Sequence, residues 1–247
     1  MHRTARLLAA LALGLPAVSF AGPADYVYVP AVELGEREID FKAGGWKPRD
    51  ESRESAGSIG FGYGATARWF TEAYVKYEKE SGRGTKYDAF EWENKFQLTE
   101  PNQYFVDVGL ITEIEVPRER REEGYEIKAG PLFQGDAGAV RWNANLLFER
   151  VLRGRSEEPR ATEIGYQLQA RYDFSRAFGI GAQAFGEMGP WDHWEARDEQ
   201  SHRAGPAIFG KLKLEGREAI RYNAAWLRGV GHASPRDTVR LQVEYEF

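Results

Sequence analysis

The chain has 247 residues, no cysteine, 42% hydrophobic and 29% charged residues, and 33 basic against 38 acidic side chains, for a formal charge of −5. That length allows one large domain or two small ones, and the acidic balance argues against nucleic acid as a partner, which would call for a basic face. A mean hydropathy of −0.57 argues against a bundle of membrane helices, each of which needs about 20 mostly apolar residues.

The first element in chain order is a leader. His2, Arg3 and Arg6 precede an apolar run from Leu7 to Val18, and Ser19-Phe20-Ala21 supplies small residues for cleavage. That order of charged, apolar and small segments predicts a secretory signal peptide over residues 1–21, and its removal takes the formal charge to about −7. An exported chain without cysteine holds its fold with no disulfide. Residues 22–33, "GPADYVYVPAVE", carry Pro23 and Pro30, which discourage regular structure. They are expected either as a periplasmic lead or as a plug in a lumen.

From there to the end, residues 34–247 divide into twelve segments of about 10 residues with alternating polarity, the pattern of an all-β chain. The first, Glu36 to Trp46, sets Ile39, Phe41 and Ala43 against Glu38, Asp40 and Lys42. The second, "SAGSIGFGYGA", alternates Ile59, Phe61 and Tyr63 with glycines, which implies sharp curvature or a closely approaching neighbour. Phe70 to Glu78 follows, and then Lys86 to Leu98, where Phe90, Trp92, Phe96 and Leu98 oppose Glu91, Glu93, Lys95 and Gln97. Phe105 to Glu115 and Tyr125 to Gln134 are the fifth and sixth. The seventh, "RWNANLLFER", is the clearest, with Trp142, Ala144, Leu146 and Phe148 against Arg141, Asn143, Asn145 and Glu149. Thr162 to Phe174, Phe178 to Glu187, His202 to Leu212, Ala219 to Arg228 and a closing segment ending "RLQVEYEF" complete the set.

The connectors alternate in length. Those after even segments are compact, as at Thr66-Ala67-Arg68 and Ser175-Arg176-Ala177, whereas "VPRERREEG" and "PWDHWEARDEQS" follow odd ones. Short turns on one side and long charged loops on the other are expected when both ends of a barrel lie with the short turns. Aromatics such as Trp46, Trp69, Trp142 and Trp226 lie near segment ends, where an interfacial girdle would stand.

The signal peptide, the alternating segments, the loop parity and the terminal phenylalanine together resemble Gram-negative outer-membrane β-barrel proteins. The resemblance covers nearly all of the chain after residue 21 as an architecture and carries no catalytic motif. It implies a single antiparallel transmembrane β-barrel of about twelve strands in the outer membrane, in contact with its lipid. It also implies that the barrel-assembly machinery recognises a last strand ending in Val243, Tyr245 and Phe247.

With one face toward lipid, the other lines the interior. The early strands would contribute Glu38, Asp40, Lys42, Glu91, Glu93, Lys95, Asp107 and Glu113, the seventh Arg141 and Glu149, and the late ones Arg171, Arg203, Lys211, Arg221, Arg240 and Glu244. Acids dominate the first half and bases the second, so a transverse field is expected across the lumen. The function this predicts is a passive, porin-like channel for small polar solutes, with no cofactor. The alternative is a barrel plugged by its own charged side chains, structural or binding a ligand or metal, without transport.

Enzymatic function has little support. "HAS" at His232–Ser234 resembles the His-x-Ser of outer-membrane lipid A deacylases, whose orienting acid would here be Glu246. At about 3.3 Å per residue, a strand would hold that acid roughly 30 Å away. Asp192, His193, Asp198 and His202 offer metal-type ligands, but their spacing matches no ligand motif, so no metal is expected.

Overall fold

The computed structural model describes residues 22–47, 54–80, 82, 84–155 and 161–247. The expected leader, residues 1–21, lies outside them, as do residues 48–53 and 156–160 of the first and fourth long loops. Twelve strands form a single closed barrel: β1 (Arg37–Lys47), β2 (Glu54–Thr66), β3 (Trp69–Glu80), β4 (Lys86–Gln97), β5 (Asp107–Pro117), β6 (Tyr125–Ala137), β7 (Val140–Leu152), β8 (Glu163–Asp173), β9 (Gly179–Pro190), β10 (Ser201–Lys213), β11 (Ala219–Val230) and β12 (Asp237–Glu246).

Each strand pairs antiparallel with its sequence neighbours. The ring closes where β1 meets β12, with Phe41 opposite Val243 and Ile39 opposite Tyr245. Closure leaves no unpaired edge, as a wall immersed in hydrocarbon requires. Period-two alternation then sorts the side chains. Phe61, Trp92, Leu146, Leu168, Ile180, Trp226 and Leu241 are exposed on the outside, whereas Asp40, Glu93, Glu113, Glu149, Gln183 and Arg240 are buried within. A belt of exposed apolar side chains around a core of buried charge reverses the arrangement of a water-soluble protein.

The inner glycines of β2 make room for neighbours. A Cβ at Gly60 would stand 2.4 Å from the Tyr74 ring, and one at Gly62 would stand 2.4 Å from the Phe70 ring. Of the two explanations expected for the glycine repeat, close approach accounts for these positions.

One boundary departs from the alternation. Phe105 was expected to open the fifth strand after a short turn, yet β5 begins at Asp107, and the connector over 98–106 is longer than that over 81–85 between β3 and β4. Local hydrogen bonding explains it. Leu98 and Thr99 N–H both donate to the Val108 carbonyl at 2.9 and 3.2 Å, and Asp107 accepts from Asn102 N–H at 2.8 Å, with Asn102 at φ 59°. This closed turn holds Tyr104 and Phe105 outside the ladder, the latter 82% exposed.

Candidate functional site

The interior is built around residues 22–33. Pro23 passes so close to the loop-side half of β1 that a Cβ at Gly44 would fall 1.8 Å from its carbonyl oxygen. At the other end, a Cβ at Gly64 would fall 1.9 Å from the Glu33 carbonyl, and Gly35 N–H donates to the Gly64 carbonyl at 2.8 Å. Only glycine lets two backbones approach so closely. The segment therefore runs through the lumen, from the loop-side half down to the short-turn end, before the chain enters β1.

Its side chains point to opposite walls. Val27 is buried with Phe185, Ala207, Phe209, Ala225 and Leu227 on β9 to β11, while Tyr28 is buried with Ile111, Leu132 and Leu147 on β5 to β7. These inward apolar residues have no lipid to meet; burial against the segment removes them from water. Polar groups complete the seat. Tyr26 Oη donates to Glu93 at 2.7 Å and Tyr28 Oη to Glu113 at 2.9 Å. Burial, reinforced by Glu93, pushes the Tyr26 phenol well above its ordinary range; burial and Glu113 do the same for Tyr28, so both remain donors.

Carboxamides take the place of a sheet partner for the segment's backbone. Tyr28 N–H donates to Gln167 Oε1 at 3.1 Å, its carbonyl accepts from Asn145 Nδ2 at 3.0 Å, and Val32 N–H donates to Gln97 Oε1 at 2.8 Å. Each buried backbone group left without a partner would cost about 1–3 kcal/mol. Arg240 donates to the Asp25 carbonyl, and the Lys42 ammonium lies 3.6 Å and 3.5 Å from the ring centroids of Tyr26 and Tyr74. Both are charged anchors on the segment's upper part.

Toward the long loops, ion pairs line one wall of the bore, from β3 to β7. Lys76 bridges Glu91, at 3.0 Å, and Glu115; Lys128 reaches Glu113 at 3.0 Å, Glu149 at 3.7 Å and Glu126 at 3.9 Å. The carboxylates of Glu91, Glu113 and Glu115 come within 4.8 Å of one another, a grouping that could in principle hold a cation, and each of them already pairs with Lys76 or Lys128.

Toward the short turns the lumen stays open as a vestibule of about 760 Å³. Its lining reaches the exposed residues Ser175, Arg176 and Lys213 at the rim, and its inner end meets Tyr26 and Val27. The charges around it are sorted. Among the described residues, the arc from β12 through β1 to β3, with the segment leading into it, presents six carboxylates and no cation. The arc from β7 to β11 presents six cations and one carboxylate, Asp173, while Lys95 on β4 stands alone between them.

Of the sixteen residues expected to face the lumen, Asp107 stands at the short-turn end of β5 and accepts from Asn102 N–H at 2.8 Å, and the other fifteen divide between two surroundings. Glu38, Asp40, Lys95, Arg141, Arg171, Lys211, Arg221 and Glu244 line the vestibule. Lys42, Glu91, Glu93, Glu113, Glu149, Arg203 and Arg240 are buried among the plug and the ion pairs. Arg203 lies 5.3 Å from the Trp46 ring and 3.9 Å from Glu187, and Lys211 pairs with Glu246 at 2.5 Å. Sequence reasoning missed Lys76 and Lys128, the carboxamides and the apolar seat. The signal was there in Ile111, Leu132, Leu147, Phe185 and Leu227, apolar residues on the face that alternation reserves for polar ones.

Asp192, His193, Asp198 and His202 are not brought together. His193 pairs with Asp192 at 2.8 Å, whereas His202 stacks on Tyr166 and hydrogen-bonds to it at 3.0 Å. Ser234 Oγ accepts from His202 N–H at 2.8 Å and donates to the Val230 carbonyl at 3.0 Å, while Glu246 is engaged by Lys211 and Arg221 at the far end of β12.

No family model matches the chain, and no curated protein matches it in sequence. Solved structures do match in shape. The translocator domain of autotransporter NalP from Neisseria meningitidis superposes with a TM-score of 0.52 at 11% identity, covering 87% of this chain and 89% of that one. A bacterial polysaccharide outer membrane secretin gives 0.44 at 7% identity over 89% and 99% of the two chains, and a Rhodopseudomonas blastica porin gives 0.26 at 9% identity over 85% and 99%. The fold is that of an outer-membrane barrel.

Proposed function

We propose that this protein is an outer-membrane channel for small polar solutes, closed in its resting state by its own residues 23–33. One observation carries the reading. A wide, charged vestibule leads from the short-turn end to a chain segment that joins the wall covalently only where it enters β1 and is otherwise seated in the bore by hydrogen bonds and two apolar clusters. A barrel wall lined with charge of both signs suits hydrated polar solutes and disfavours apolar ones. Flux would require residues 23–33 to move. The reading assigns no catalytic step to the protein.

A second reading, a permanently closed barrel that binds a ligand, draws support from the ion pairs on β3 to β6, one of which also holds the segment through Tyr28 and Glu113. Single-channel recording in planar bilayers separates the two. The full chain is expected to be silent or nearly so, and a variant lacking residues 23–33 is expected to conduct in discrete steps. A deletion variant that still migrates as a heat-modifiable barrel yet passes no current would sink the channel reading.

A further inference from the structure

The vestibule is electrically balanced overall and divided within. Among the described residues, seven carboxylates and seven cations line it, and nearly all of each sign lie on separate arcs of the ring, which meet at β11 and β12, where Arg221 reaches Glu36 at 3.7 Å. Folding alone gives no reason for this. Neutralisation inside the barrel is achieved elsewhere by direct pairs, as Lys128 does for Glu113 at 3.0 Å. In the vestibule several charges are left without such a partner: among the described residues, none of Glu38, Glu72 and Glu244 has a cation within the 4.0 Å of an ion pair.

Two buried polar atoms sharpen the point. Glu72 is 4% exposed and its Oε1 has no hydrogen-bond partner; Arg171 has a buried Nε with none, although its Nη2 pairs with Asp173 at 3.1 Å. Both side chains line the vestibule, from β3 and β8, five positions apart around a ring of twelve. They therefore come from nearly opposite walls. An unsatisfied buried polar atom costs about 1–3 kcal/mol, and the cost is recovered when a ligand supplies the missing partner.

We infer that the vestibule binds zwitterionic solutes carrying one ammonium and one carboxylate group. The ammonium lies against the arc of Glu38, Glu72 and Glu244, and the carboxylate against the arc of Arg171, Arg176 and Lys213. A solute of a single sign would satisfy one wall and bring no counter-charge to the other. A zwitterion answers both and leaves the cavity as neutral as it was found. Phe70, Tyr74 and Phe209, also in the lining, supply apolar surface for the part of the solute between its charges. As the substrate class of the channel, the assignment rests on the reading above; as a binding property of the vestibule, it can be tested on the closed barrel.

The test is calorimetric titration of the full-length barrel, extracted in detergent, with three probes of similar shape: glycylglycine, its N-acetylated anion and its C-terminal amide cation. Glycylglycine is expected to bind about tenfold or more tightly than either derivative, the effect of losing one charge-assisted hydrogen bond. Glu72→Gln is expected to abolish the preference over the acetylated probe and keep that over the amide, and Arg171→Gln to do the reverse. Equal affinities for the three probes, tighter binding of either singly charged one, or no binding of glycylglycine would overturn the inference. The three-probe comparison on the unmodified chain decides it even if a variant fails to fold. Binding without conductance of the deletion variant would sink the channel alone, and conductance without binding would sink this inference alone.

Discussion

Lys128 illustrates how charge is accommodated at the level of single residues. The residue is 7% exposed and its ammonium stands among Glu113, Glu126 and Glu149, with Glu113 also holding the Tyr28 phenol. Two carboxylates nearest to it are 2% and 1% exposed, so neither has water to turn to. Breaking such a group by removing one partner leaves buried charge uncompensated. Lys128→Met is expected to lower the stability of the barrel by about 3–5 kcal/mol, and pairing it with Glu113→Gln to restore part of the loss. Equilibrium urea unfolding in lipid vesicles measures both, and a single variant as stable as the parent would show that the network carries little of the fold. Lys128 was not foreseen from sequence. Its strand gives the period, but the neighbours that make it a counter-ion come from β5 and β7.

Strands were the most legible elements. Boundaries expected from alternation fall within a few residues of those observed, as for β7 and β11, because each strand has one lipid-side and one lumen-side face and the period of two is hard to miss. At β5 a two-residue offset arose where a turn's own hydrogen bonds took residues out of the ladder. β12 shows how much one element can carry. Its inner face supplies Arg240, Gln242, Glu244 and Glu246 to the lumen, and its partner β1 closes the ring. At its end the rings of Tyr245 and Phe247 stack with centroids 5.6 Å apart, and Phe247 N–H donates to the Arg37 carbonyl at 2.9 Å. The side chain of Phe247 is 42% exposed, so it contributes little to the core. Phe247→Ala is therefore expected to slow assembly in cells while leaving the stability of the assembled barrel nearly unchanged, within about 0.5 kcal/mol. Pulse-chase of heat-modifiable species gives the first quantity and urea titration the second; normal assembly kinetics would count against Phe247 as an assembly signal.

For the whole molecule, the outward belt of Phe61, Trp92, Leu146, Leu168 and Trp226 is incompatible with free solution. The barrel is expected to fractionate with the outer membrane and resist carbonate extraction. It is also expected to migrate as a compact species in detergent gels until it is heated. Release into the soluble periplasmic fraction would contradict the lipid-facing assignment. The internal field is also a property of the whole. Acids were expected early in the chain and bases late, and the vestibule keeps that order only in part: Glu244, on the last strand, joins the acidic arc because β12 closes onto β1. Of the early lysines, Lys76 and Lys128 instead pair with acids deeper in the bore, and Lys42 pairs at 3.6 Å with Asp40 of the acidic arc.

The sequence by itself determined the strand number, the face each side chain takes and the sidedness of the loops. These follow from a two-residue period and from a solvent that changes from lipid to lumen across each strand. Tertiary structure alone decided the content of the lumen. Whether "GPADYVYVPAVE" lay outside the barrel or within it depended on Gly44 and Gly64 leaving room for its backbone. It depended equally on Ile111, Leu132, Leu147, Phe185 and Leu227 converging from five strands onto Val27 and Tyr28. No local pattern specifies such a convergence, because the residues concerned become neighbours only when the ring is closed.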